Sequence, residues 1–362
     1  MTEALSTDKK KILYVEILRM FAILFVLFNH TKNDGYTHFT LCTSGTFAYW
    51  FWMFFSIFCK FSVPVFFMIS GMMLLGREEF LKDLWRKRIL KYAGILVLFS
   101  LFQYLWECLP AGRAFSFDEY FLLLYTQGVV EVYWFLYLYL AFLMMLPFLR
   151  KTAQNMKSHE FNYLVVLQLV FGGLIPIVEY MLFKGTVTLN ALAVPTLTLG
   201  AAVFYPLIGY YLGNKLKEVT SKTCLISAAL FVFSMAVMMS MTDFRIKVTG
   251  ELKEGMDAFY QSLQPLVAVF VFLIIRKTFE NKTFPKIAEK LVITVGGSVF
   301  GIYLIEKMVR EALGGVFDFM DARMNKFAAV WIYVLIVFVV SAIIVSAFKF
   351  LLKLAIPKKK AK

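Results

Sequence analysis

Arg19 and His30 stand eleven positions apart in an otherwise apolar stretch, Tyr14-Val-Glu-Ile-Leu-Arg-Met-Phe-Ala-Ile-Leu-Phe-Val-Leu-Phe-Asn-His30. On an α-helix that spacing is three turns with only about 20° of drift, so both side chains leave one face, about 16 Å apart along the axis. Glu16 lies one turn before Arg19 on nearly the same face, placed to pair with it. Ionisable groups at membrane depth cost roughly 2.5–3.5 kcal/mol each at a helix centre, which makes each a functional candidate by default. The chain has three histidines. His38 falls in a polar loop and His159 in a basic one, so His30 alone ends an apolar stretch. An imidazole is the side chain whose unperturbed pKa lies near neutral pH, the property that a general base deprotonating a hydroxyl needs. A structural reading competes: His30 caps a helix among lipid headgroups and Arg19 snorkels to the surface.

The elements that must carry these residues are apolar. Hydrophobic residues make up 60% of the 362 residues, aromatic ones 18% and charged ones only 17%, with a mean hydropathy of +0.72. A soluble domain carries about a quarter charged residues. Spans are expected near 12–30, 50–75, 89–108, 132–149, 161–183, 190–212, 224–241, 258–276, 290–308 and 328–354, each with the roughly 20 apolar residues a membrane helix needs. No alternating barrel pattern occurs, so the expected fold is all-α, a polytopic bundle of about ten transmembrane helices. An additional interfacial helix is expected over 116–128.

Charge sets the orientation. The net charge is +14, and the lysines and arginines sit in loops between apolar runs, which points to membrane topology and away from nucleic acid. The loops holding Arg77–Lys91, Arg150–Lys157, Lys215–Lys222 and Arg276–Lys286, with both tails, are the basic ones. The positive-inside rule then places both termini in the cytoplasm. The expected organisation is a cytoplasmic tail at 1–11, a transmembrane domain at 12–354 and a basic cytoplasmic tail at 355–362. The polar start with no small-residue cleavage pattern argues against a cleaved signal peptide. Cys42, Cys59, Cys108 and Cys224 lack paired spacing, so neither a metal site nor a disulfide framework is expected. No loop is long enough for a soluble catalytic domain, so chemistry is expected within the bundle or at its mouths.

The Arg19–His30 spacing, with Glu16 three residues before the arginine, resembles the signature of the membrane-bound acyltransferase-3 family. Further stretches resemble that family in its order: Val63-Pro-Val-Phe-Phe-Met-Ile-Ser-Gly71, Trp85-Arg-Lys-Arg-Ile-Leu-Lys91, Tyr133-Trp-Phe-Leu-Tyr137, Tyr205-Pro-Leu-Ile-Gly-Tyr-Tyr-Leu-Gly213 and Phe300-Gly-Ile-Tyr-Leu-Ile305. The resemblance implies a multi-pass enzyme of the cell membrane that moves an acyl group, acetyl above all, from cytosolic acyl-CoA to a hydroxyl of a cell-envelope glycan or lipid-linked sugar. It implies His30, Arg19 and Glu16 as catalytic, and Arg86, Arg88 and Lys91 as the site for the CoA phosphates. Tyr133, Trp134, Tyr303 and Glu306 are implied around the acceptor, although Tyr133 and Trp134 equally suit an interfacial aromatic belt. Two positions depart from the family pattern. Glu306 stands where histidine is frequent, and Lys91 replaces the second arginine of an Arg-x-x-Arg pair, trading a bidentate fork for a point charge. Ser70-Gly71 reads as a close helix contact rather than a nucleophile. A transporter or flippase of a polar metabolite or lipid-linked sugar is the rival function, since buried Glu, Arg and His serve that as well.

Overall fold

The structure, a computed structural model, describes residues 2–108, 111–126, 128–186, 200–250 and 262–355. In chain order the helices are α1 (Thr2–Asn29), α2 (Phe47–Phe58), α3 (Ser62–Leu74), α4 (Leu81–Cys108), α5 (Phe117–Thr126), α6 (Trp134–Asn155), α7 (Ser158–Phe183) and α8 (Ala201–Tyr210). They continue as α9 (Ser221–Thr249), α10 (Gln264–Phe279), α11 (Lys286–Gly296), α12 (Val299–Ala312), α13 (Gly314–Asp321) and α14 (Lys326–Ala355). No strand occurs among the described residues.

Six stretches are long and apolar enough to cross a membrane: Phe47–Leu74, Leu81–Cys108, Glu131–Asn155, Ser158–Phe183, Ser221–Thr249 and Lys326–Leu354. Helices α11 and α12, bent by 62° at their junction, add a seventh if they form one span. The chain is thus an all-helical integral membrane protein with six or seven membrane-length helices among its described residues. Of the ten spans expected, those at 190–212 and 258–276 lie partly outside the described residues. The one at 12–30 corresponds to α1, which also takes in the stretch expected as a polar tail. The basic tail lies outside the described residues beyond Ala355. Within the stretch 116–128, where an interfacial helix is expected, the structure has the helix α5 over Phe117–Thr126.

The chain divides into two compact units, one of Met1–Phe66, Gln168–Val194 and Glu218–Lys362, the other of Phe67–Leu167 and Pro195–Lys217. In the first, α1 is the central rod. Tyr14, Leu18, Ala22, Ile23 and Phe28 are fully enclosed, and α10, α11, α12 and α14 pack around them. Lipid tails are as apolar as these side chains, so close packing and polar clasps, not hydrophobic expulsion, must hold such helices together. Aromatic contacts supply part of the packing. The Phe25 ring meets Phe21, Phe58, Phe61 and Trp331 at centroid distances of 5.0–5.3 Å, each contact worth roughly 0.5–1.5 kcal/mol. Polar clasps supply the rest. Gln264 Nε2 donates to the Ile57 carbonyl at 2.6 Å, and Tyr49 donates to Asp243 at 2.9 Å.

The bend between α11 and α12 falls at Gly296-Gly297-Ser298, where two glycines weaken helix continuity. Lys349 Nζ of α14 donates to the freed Gly297 carbonyl at 2.7 Å and reaches Ser298 Oγ at 3.2 Å. Gly296 also permits a close approach to α1, because a Cβ there would lie 2.6 Å from Glu16 Cβ.

In the second unit, a Cβ on Gly71 would fall on the Pro206 backbone and one on Gly209 on the Met68 backbone. Gly71, of the Ser70-Gly71 pair, thus makes the expected close contact between helices. The last carbonyls of α3, which no helical N–H can reach, are taken by side chains from two other segments. Asn214 Nδ2 donates to Met72 O at 2.9 Å, Arg150 Nε to Leu74 O at 3.0 Å, and Gln154 Nε2 to Leu75 O at 2.9 Å.

Candidate functional site

His30 is the first residue past α1. Its backbone N–H still bonds to the carbonyls of Val26 and Leu27, at 3.1 and 3.2 Å, so the helix fixes its position. Nδ1 of His30 lies 2.8 Å from Oε1 of Glu306, in the middle of α12. The Glu306 side chain has no exposed surface, and that of His30 retains 11%. One turn on, Arg310 Nε approaches the other Glu306 oxygen at 3.5 Å. The Tyr333 hydroxyl of α14 donates to the Arg310 carbonyl at 2.6 Å, which ties this turn of α12 to a neighbouring helix. A carboxylate buried this deeply is tolerable only with charged or hydrogen-bonding partners, and these are His30 and Arg310.

With Nδ1 protonated, the imidazole donates to Glu306 and leaves the Nε2 lone pair to accept a proton. The tautomer follows from the partner rather than from an observed hydrogen. A carboxylate behind an imidazole fixes its orientation and stabilises its protonated form.

Arg19 Nη1 binds Glu16 Oε1 at 2.5 Å, so the expected pairing within α1 is present. The Arg19 side chain is 29% exposed, while Leu18, Ala22 and Ile23 beside it are enclosed. The second Glu16 oxygen is buried and has no hydrogen-bond partner among the described residues. It lies where a Cβ on Gly296 would meet it.

The second unit holds the basic residues. Arg86, Lys87 and Arg88 form a π-helical turn, Trp85–Ile89, inside α4. Arg86 and Lys91 are exposed. Arg88 is engaged: its Nε donates to both oxygens of Glu79, at 3.1 and 2.9 Å. Arg150 Nη2 binds the same carboxylate at 3.0 Å. Burial alone would raise the Glu79 pKa, but the two arginines outweigh it and hold the carboxyl below its usual 4.5. Tyr133 is enclosed and Trp134 is half exposed at the start of α6, while Tyr303 is buried in α12.

The structure therefore joins Glu306 to His30, and Glu16 to Arg19. The sequence signal for Glu79, Arg150 and Arg310 was weak, because each sits in a charged stretch that reads as a membrane-flanking loop or helix end. Arg150 and Glu79 are 71 residues apart, so no local pattern links them, whereas Arg310 stands at helical i,i+4 spacing from Glu306 and Glu79 nine residues from Arg88. Among the described residues no group of three or more His, Cys, Asp or Glu side chains is placed to hold a metal ion.

A family model described as an acyltransferase domain, of the acyltransferase-3 type, matches residues 12–348. No curated protein matches the chain, and no solved structure does.

Proposed function

The chain belongs to the membrane-bound acyltransferase-3 family, and from that premise we propose an O-acyltransferase that moves an acetyl group from cytosolic acetyl-CoA to a hydroxyl of an extracytoplasmic cell-envelope glycan. The observation that carries the reading is the hydrogen bond between His30 and the enclosed carboxylate of Glu306. In this mechanism Nε2 of His30 removes the acceptor hydroxyl proton as the oxygen attacks the thioester carbonyl. The tetrahedral adduct collapses with loss of the C–S bond, and the imidazolium returns its proton to the departing thiolate. An ester and free CoA result, and His30 is regenerated neutral. Glu306 is a positioning residue that steadies the imidazolium while it exists. Arg19 places positive charge on the same helix face for the anionic donor. Arg86, Arg88 and Lys91 take the CoA phosphates through charge-assisted hydrogen bonds. Trp134, Tyr133 and Tyr303 remain the aromatic candidates for the acceptor. Both termini face the cytoplasm of a cell membrane in this reading.

Two measurements test it. Purified protein should bind acetyl-CoA and release CoA slowly without acceptor, whereas a transporter or flippase would do neither. Mass analysis of envelope glycans should show acetyl groups that depend on the protein and vanish with His30→Ala. The loss of a general base is expected to cost about 10²–10⁴-fold in rate. A folded His30→Ala protein with full activity would refute the assignment.

A further inference from the structure

Arg88 is one of three cations assigned above to the CoA phosphates, yet its Nε edge is occupied by Glu79. We propose that Glu79 is a positioning residue for the anionic end of the donor, clamping Arg88 by Nε so that its terminal nitrogens present a fixed fork to a phosphate. This deepens the donor reading of the preceding section and rests on it.

Four observations carry the proposal. First, the clamp is two-sided. Glu79 takes Arg88 on one side and Arg150 Nη2 on the other, and the Arg150 side chain is itself only 7% exposed and tied by Nε to the Leu74 carbonyl. Glu79 thus connects Arg88 to the capped end of α3 through a nearly buried arginine, a rigid mount for an otherwise flexible side chain.

Second, Arg88 makes no hydrogen bond through its Nη atoms among the described residues, and its side chain keeps 24% exposure. An arginine held at Nε still offers the Nη pair, which matches two phosphate oxygens in one plane.

Third, the charges do not cancel. One carboxylate serves two guanidinium groups, so the cluster retains a positive charge beside exposed Arg86 and Lys91. Of the other acidic side chains in this stretch, Asp83 is paired with Lys87 at 3.1 Å, and Glu78 is exposed against the further cations Arg77 and Lys82. Fourth, Arg88 lies in the π-helical turn Trp85–Ile89. The extra residue in such a turn re-aims the side chains that follow, and turns of this kind occur frequently at functional sites.

A clamp of this type acts on orientation, so removing it should affect donors that carry phosphates and spare those that do not. The experiment is equilibrium binding of acetyl-CoA and of acetyl-pantetheine, which lacks every phosphate, to the purified full chain in detergent. Wild-type protein should bind acetyl-CoA more tightly than acetyl-pantetheine. Glu79→Gln, which keeps the shape but not the charge, should weaken acetyl-CoA about tenfold, the equivalent of one charge-assisted hydrogen bond, and leave acetyl-pantetheine unchanged. Glu79→Asp should recover part of the difference. Gel-filtration profile and thermal unfolding confirm that each variant is folded. Equal weakening of both ligands in a folded Glu79→Gln protein would reduce Glu79 to a structural residue, and no change in either would dismiss it altogether. If Glu79→Gln fails to fold, Arg88→Lys supplies the same comparison, since lysine cannot be gripped at Nε while offering a fork; an undiminished preference for acetyl-CoA in that variant overturns the proposal. A wild-type protein that binds neither ligand would instead refute the donor reading on which the clamp depends, and the proposal with it.

Discussion

Glu306 accepts from His30 through one oxygen and is approached by Arg310 at the other. That places a permanent cation behind a carboxylate that faces an imidazole. Glu306→Gln would keep the volume and a hydrogen bond while removing the charge that steadies a protonated His30. A loss of up to about 10⁴-fold in acyl transfer is expected, the scale seen when the carboxylate behind a catalytic imidazole loses its charge. It is measured as kcat with His30 intact, and an unchanged kcat would separate Glu306 from the chemistry. At Glu79 the sign of the pH effect follows from its cause. The folded carboxyl titrates below its ordinary 4.5 because Arg88 and Arg150 outweigh burial. Its contribution to stability is therefore complete above that ordinary value and is lost as pH falls through the depressed one. Thermal unfolding should show Glu79→Gln less stable than wild type at pH 7, with the gap narrowing towards pH 3. At this scale Glu16, Arg19 and His30 were legible, because their relation is a helical repeat within one segment. The Glu306–His30 contact was not, since 276 residues separate the two and no local spacing encodes it.

Helix contacts in the second unit depend on the absence of side chains. Gly71 and Gly209 each face backbone atoms of the opposite helix, Pro206 and Met68, and backbone cannot swing aside as a side-chain tip can. Gly209→Ala should lower stability by about 1–3 kcal/mol, the range for overpacking a close contact. Loss of several degrees in thermal unfolding in detergent checks it, and a neutral Gly209→Ala would mean that the helices slide apart freely. The bend at Gly296-Gly297-Ser298 belongs to this scale as well. Apolar residues run across 290–308 as though one straight helix were present, whereas the structure breaks it by 62°. The two glycines were visible in sequence. What makes the break stable was not: Lys349 donates to the Gly297 carbonyl from 52 residues away, and Glu16 occupies the space that a Gly296 side chain would need.

Across the whole molecule, the basic loops alternate with poorer ones, and this asymmetry predicts both termini on the cytoplasmic side. Single cysteines introduced near residues 5 and 360, in a background lacking the four native ones, should label only when a membrane-permeant reagent is used on intact cells. Labelling of either terminus by an impermeant reagent would reverse the topology. It would also move Arg86, Arg88 and Lys91 away from the cytosolic donor proposed above.

Composition and hydropathy by themselves determined that this chain is a helical membrane protein, since a run of some 20 apolar residues has only one stable way to satisfy its backbone in lipid. The order of short motifs pointed to the family, and helical periodicity placed Arg19 and His30 on one face. Tertiary structure alone decided which carboxylate stands behind His30, which one grips Arg88, and where an apolar run bends. The physical reason is common to all three. Each depends on packing that sequence spacing does not encode: Glu306 and Lys349 act across 276 and 52 residues, and Glu79, nine residues from Arg88, is held by Arg150 from 71 residues away, because a buried charge is satisfied by whatever lies within about 3 Å in space.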